Sequence, residues 1–297
     1  MARDVSPTVS RRRLAAELRR LREDAHLTGG QVAKALGWST SKISRIENAQ
    51  VGAQKDDVAT LVSHYGVSEE WRDLLLELSR ESEEKGWWED YADVLSESYS
   101  TYIGLEAGAS ELVTWQGLVV PGLLQTAAYA RATMRTTSLF LPALPGKAAR
   151  LVHVRMRRQR LLDEDPPLRF TALIDEAILR RRFGTAETMQ QQLRHILKIA
   201  EFPHVVIRVL PLHVNHPSLP SSFVLLKFPE RERLGRLHGD VLYLENALDA
   251  TFEEGEETTY GFDMFFQQMV EESLSPEESL ALIAEEARLA DPGGNDS

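Results

Sequence analysis

The stretch Leu27–Asn48, LTGGQVAKALGWSTSKISRIEN, decides the reading of this chain. Thr28 offers a hydroxyl N-cap to a short helix through Leu36, with Val32, Ala33 and Leu36 turned inward. Gly37 follows as a residue able to adopt the left-handed conformation that closes a helix. Ser39 then caps a further helix, Thr40–Asn48, whose Ile43 and Ile46 face the core. Two short helices joined by the three-residue turn Gly37-Trp38-Ser39 have helix-turn-helix spacing.

With Ile43 and Ile46 buried, Thr40, Ser41, Lys42, Ser44 and Arg45 are left outside. Short hydroxyls and two cations in the N-terminal half of a helix suit the part that meets base edges in a major groove. An ordinary solvated helix face more often carries Glu and Lys in i,i+4 pairs. Upstream, Arg11–Ala25 places Leu14, Leu18 and Leu21 on one apolar stripe, with Ser10 as the expected cap and His26-Leu27 as the end.

These residues carry a family resemblance. Leu27-Thr28, Val32-Ala33, Leu36-Gly37, Ser39 and Ser41 through Asn48 resemble the Xre, or lambda-repressor-like, helix-turn-helix family. The similarity continues through Val58–Tyr65, a fourth helix, and Gly66–Trp71, the start of a fifth, covering about the first 78 residues. It implies a buried ion pair between Arg22 and Glu47 that ties the first helix to the end of the recognition helix, and a phosphate contact at Asn48. The candidate DNA-contact set is Gln31, Trp38, Ser39, Thr40, Ser41, Lys42, Ser44, Arg45 and Asn48. Two positions depart from the family pattern. Gly29 stands where a phosphate-binding Gln is frequent, and Ala49 stands where Gly is common, so the turn after the recognition helix is open to change.

Charge is distributed to match. The 297 residues have a net charge of -11, unfavourable for a partner of polyanionic DNA, yet residues 1–65 hold 11 Lys/Arg against 7 Asp/Glu and the remainder 23 against 38. A basic head on an acidic body is the asymmetry to examine first, the plain alternative being that the N-terminal arginines form a solvated helix face. The absence of cysteine excludes disulfides, thiolate zinc sites and a Cys nucleophile, and suits a reducing cytoplasm. The N-terminus lacks the apolar region of a secretory signal, and no run approaches the roughly 18 apolar residues of a membrane span. The expectation is a cytoplasmic protein, nucleoid-associated when on DNA.

Beyond the charged stretch Glu81–Lys85, which reads equally as continuing helix or hinge, the pattern is α+β. Trp87, Trp88 and Trp115 with Tyr91, Tyr99 and Tyr102 read as core or interdomain packing. Leu168–Ile174, His204–Leu210, Ser222–Phe228 and Val241–Glu245 read as strands; Arg155–Asp163, Ala177–Arg182, Thr185–Ala200, Thr258–Glu272 and Pro276–Arg288 read as helices. The expected fold is mainly α: a five-helix reader over 1–80, an α+β domain over 81–290 with a helical segment and a small sheet flanked by helices, and a disordered tail over 291–297. Gly86-Trp87-Trp88, Tyr102 through Glu106, Val120 through Thr126, Tyr129-Ala130-Arg131, Arg158-Gln159, Asp175-Glu176-Ala177 and Ser221-Ser222-Phe223 resemble an antitoxin-like domain of unknown function attached to Xre-type heads in actinobacteria. That resemblance implies a regulator, in some cases developmental, controlled by a small acidic partner protein encoded nearby.

Enzymatic signals are poor. Phosphate loops, a GxSxG elbow and HExxH are absent. His213, His216 and His238, near Pro211, Pro217 and Pro220, read as bystanders rather than metal ligands. Asp175-Glu176 reads as helix-dipole acids rather than an acid/base pair, and Glu253 through Glu257 as a solvated loop. No cofactor or metal is expected. The reading is a non-enzymatic, homodimeric transcriptional repressor or autoregulator that binds palindromic double-stranded DNA, its rear domain binding a small partner protein; the alternative makes that domain a small-molecule sensor.

Overall fold

Local capping sets most of the helix starts. The computed structural model describes residues 6–137, 145–214, 221–231, 234–246 and 250–290, and its first elements are α1 (Pro7–Asp24), α2 (Gly29–Leu36), α3 (Thr40–Glu47), α4 (Lys55–Tyr65) and α5 (Glu69–Glu83). Thr28 and Gln31 form a reciprocal capping box before α2, and the Ser39 hydroxyl accepts the Lys42 N–H at 3.1 Å before α3. Gly37 and Gly66, at φ of 69° and 70°, close α2 and α4 in the left-handed region. The start of α1 differs from expectation. It lies one turn earlier, with Ser6 at the cap position and Pro7 at N1, where a missing N–H costs nothing. Ser10 is therefore inside the helix, and its hydroxyl donates to Glu81 at 2.8 Å.

Backbone contacts divide the chain into two compact units: Ala2–Glu89 with Pro229–His238, and Asp90–Phe228 with Gly239–Ser297. In the smaller unit α1 packs against α5, α3 and α4. Leu14, Leu18, Val32, Ile43, Ile46, Leu61, Leu75 and Leu78 make its buried core. Each such side chain contributes about 1.5–3 kcal/mol by leaving water. Two short strands, β5 (Glu230–Arg231) and β6 (Gly235–Arg236), pair antiparallel within this unit. Leu234 and Leu237 are buried, Arg231 pairs with Glu77 at 3.3 Å and Glu81 at 2.9 Å, and Arg13 donates to the carbonyls of Leu234 and Arg236. None of these contacts is visible in local sequence pattern.

The larger unit holds α6 (Glu97–Gly108), β1 (Glu111–Gln116), α7 (Ala127–Thr137), α8 (Pro145–Arg158), β2 (Arg169–Asp175), α9 (Glu176–Arg180), α10 (Ala186–Ile199), β3 (Val205–Leu210) and β4 (Phe223–Lys227). It continues with β7 (Val241–Glu245), β8 (Ala250–Glu253), α11 (Glu256–Glu272) and α12 (Pro276–Leu289). Six strands form one mixed sheet in the order β3-β2-β1-β4-β7-β8, parallel from β1 to β3 and antiparallel from β1 through β4 and β7 to β8. Helix α11 covers β3, β4 and β7, and Val113, Trp115, Leu173, Phe223, Leu225, Phe266 and Met269 share one core cluster.

The sheet is the α+β element expected, with two strands added. Strand β1 escaped the sequence pattern because Leu112, Val113, Thr114 and Trp115 are all buried, so the period-2 alternation of a half-exposed strand is missing. Strand β8 is a four-residue edge strand, too short to register. Residues 291–297 lie outside the described residues, as do His216, Pro217 and Pro220. Among the described residues no helix is long and apolar enough to cross a membrane.

Candidate nucleic-acid interface

Helix α3 buries Ile43 and Ile46 and leaves Thr40, Ser41, Ser44, Arg45 and Asn48 exposed. Among the described residues the side chains of Thr40, Ser41 and Arg45 have no hydrogen-bond or ion-pair partner, so their polar atoms are open to a ligand. The remaining candidates are engaged to different degrees. Asn48 donates to the carbonyl and hydroxyl of Ser44 at 2.8 and 3.2 Å. The Gln31 amide oxygen accepts the Thr28 N–H at 2.8 Å, so Gln31 serves the capping box. The Ser39 hydroxyl is the cap of α3.

Lys42 departs most from a free cation. Its ammonium pairs with Asp57 of α4 at 2.7 Å and sits 3.8 Å from the centroid of the half-buried Trp38 ring. That arrangement combines an ion pair with a cation–π contact on one charge.

Arg22 and Glu47 set the position of α3 against α1. The Arg22 guanidinium donates to both Glu47 oxygens at 2.8 and 2.9 Å and to the Leu27 carbonyl at 2.7 Å. The two side chains are 12% and 10% exposed, nearly out of water. The hydrogen bond to Glu47 holds the guanidinium above its ordinary value. Beside this pair the Tyr65 hydroxyl is pushed up to about 12 by burial, with the Glu47 charge adding to it. Ala49, after α3, takes φ of 54°, the left-handed conformation that makes glycine common there.

A shallow groove of about 300 Å³ runs beside α3, lined by Arg19, Gly29, Gly30, Thr40, Ser44 and Asn48 among others. Sequence reading did not single out Arg19; its only signal was membership in the basic run of α1. Asp57 was missed as well, because it lies 15 residues from its partner.

In the larger unit, three of the motif segments, Tyr102 through Glu106, Val120 through Thr126 and Arg158-Gln159, are joined by polar contacts. Arg158 donates to Glu106 at 2.7 and 2.6 Å and to Tyr99 and Tyr102 at 2.7 and 3.3 Å, while Tyr102 donates to Glu106 at 2.9 Å. Burial alone lowers the Arg158 guanidinium, and the Glu106 charge with the two tyrosines more than reverses it. Burial raises the Tyr102 hydroxyl well above its ordinary range, reinforced by Glu106. Gln159 donates to the carbonyls of Gly122 and Gln125 at 3.1 and 2.6 Å, and Gln125 to that of Val120 at 2.6 Å. Gly86, in the smaller unit, has no room for a Cβ because the Trp88 ring occupies that space.

Asp175 caps α9 by accepting the Ala177 N–H at 2.7 Å, and Glu176 pairs with Arg180 while accepting the Leu212 N–H. Glu253 through Glu257 are exposed, the last two opening α11. Among the described residues no group of three or more His, Asp or Glu is placed to hold a metal ion.

Residues 13–75 match a family described as a helix-turn-helix domain. Residues 99–285 match a family described as a domain of unknown function, DUF5753. No curated protein and no solved structure matches the chain significantly. The helix-turn-helix match and the α2–turn–α3 geometry support a DNA-binding regulator. The chain thus carries a helix-turn-helix head and, through the match over most of its length, belongs to the DUF5753 family.

Proposed function

We propose that the chain is a sequence-specific transcriptional regulator of the Xre type, of actinobacterial kind, that reads a palindromic operator as a homodimer. Residues 1–80 serve as the reader and 81–290 as the controlling domain. The observation that carries this is the exposed row Thr40, Ser41, Ser44 and Arg45 on a capped helix braced by Arg22 and Glu47. In the major groove, Arg45 is suited to the O6 and N7 acceptors of guanine, and the hydroxyls to either kind of edge. Asn48, Gln31, Trp38, Ser39 and Lys42 lie around that row, and the exposed α2 start is suited to a phosphate. One such helix reads few bases, so two half-sites about 10 bp apart are needed for specificity.

The rear domain binds a small partner protein that shifts the DNA-bound population, acting as repressor or autoregulator in developmental control. Support comes from α11, where Tyr260 and Met264 stand four residues apart at 65% and 52% exposure, an apolar pair left uncovered among the described residues. The test is enrichment of duplexes bound by the full chain from a random pool at about 150 mM salt, where non-specific binding is suppressed. A palindromic consensus supports the proposal. A pool without consensus refutes it.

A further inference from the structure

Of the two cations on α3, only Arg45 is open; Lys42 is held. Its ammonium lies 2.7 Å from an Asp57 oxygen and 3.8 Å from the Trp38 ring centroid, with the lysine side chain 38% and the aspartate 22% exposed. Asp57 comes from the first turn of α4, where the positive end of the helix dipole also favours a carboxylate. Three elements therefore converge on one charge: the turn before α3 through Trp38, α3 through Lys42, and α4 through Asp57.

We propose that Asp57 is an affinity-setting residue: it holds Lys42 off the phosphate backbone and so lowers affinity for DNA of every sequence by the same factor. The inference rests on the proposed reading of DNA by α3. A lysine neutralised by a carboxylate displaces no counterion when the protein meets a duplex, so it adds nothing to the sequence-independent part of binding. Base readout by Thr40, Ser41, Ser44 and Arg45 is untouched, so operator and random binding fall together. A free lysine at the same place would strengthen every site alike. The acidic partner thus sets the overall strength of DNA binding from beside the reading row.

The experiment uses the full chain and a labelled random-sequence duplex of 30 base pairs, titrated from about 50 to 200 mM salt, the range in which phosphate contacts dominate. Asp57→Asn keeps an oxygen for Lys42 but removes the charge, and Asp57→Ser is the second variant. Both should tighten binding to random duplex and steepen the log–log salt slope by about 0.9, the value for one added phosphate contact. Lys42→Ala alone should leave the slope unchanged, and Lys42→Ala with Asp57→Asn should return it to that of the unmodified protein. The opposite pattern, a slope that falls with Lys42→Ala and ignores Asp57→Asn and Asp57→Ser, overturns the proposal. Arg45→Ala, titrated on a duplex enriched from the random pool by the full chain, is the separate check on α3: if it leaves binding unchanged, the reading of α3 fails and this inference with it. If it weakens binding while the Asp57 variants are inert, only the inference fails.

Discussion

Arg158 and Glu106 form a two-pronged ion pair inside the larger unit, at 2.7 and 2.6 Å, with side chains 6% and 0% exposed. The pair ties α8 to α6 across 52 residues of sequence. Both charges have been taken from water, which is tolerable only because the tyrosine hydroxyls complete their hydrogen bonding. Tyr102 is further fixed by stacking on Tyr243 of β7 at 4.2 Å.

Removing one partner strands the other. Glu106→Gln leaves a desolvated guanidinium and should cost roughly 3–5 kcal/mol, read as a lower urea midpoint for the larger unit. The Glu106→Leu/Arg158→Met pair, which removes both charges, should cost less than the single change. Equal losses would show that packing rather than charge accounts for the effect.

A second substitution should stabilise. Ala49 sits at φ of 54°, a conformation that costs an L-residue about 1–2 kcal/mol and glycine almost nothing. Set against the greater freedom of glycine in the unfolded chain, Ala49→Gly should gain about 1 kcal/mol. Thermal melting of the smaller unit's transition checks it, and a lowered midpoint would contradict it.

What could be read in advance was what is local. Thr28, Ser39, Gly37 and Gly66 each act within a few residues, and the structure uses them as caps and helix ends. Ser10 misled because hydroxyl caps and hydroxyls inside a helix look alike in sequence; the proline three residues earlier marked the true start. Strand β1 was hidden by burial on both faces, and the long-range pairs Lys42–Asp57, Arg158–Glu106 and Arg231–Glu81 leave no pattern in a single sequence. Long-range ionic partners depend on the tertiary fold, which neither periodicity nor composition encodes directly.

Acid should weaken the larger unit through His195 on α10. Burial, with Lys198 adding, lowers this histidine from its ordinary 6.5, and its Nε2 has no hydrogen-bond partner among the described residues. The folded chain resists a proton that the unfolded chain accepts, so its contribution is complete above about 6.5 and is lost as pH falls below that value. Melting temperatures of the unmodified protein and His195→Gln between pH 5.5 and 7.5 should converge toward low pH, as the unmodified protein loses more. Parallel curves would remove His195 as the cause.

The most direct test of DNA reading by α3 is fluorescence anisotropy of the full chain on its enriched duplex, at about 150 mM salt with excess random competitor. Loss of one bidentate guanine contact is worth about 1–3 kcal/mol. Arg45→Ala should therefore weaken the enriched duplex by about 5- to 150-fold, the same energy expressed as affinity, and leave the melting temperature unchanged. Undiminished, competitor-resistant binding by Arg45→Ala would contradict a reader built on this helix.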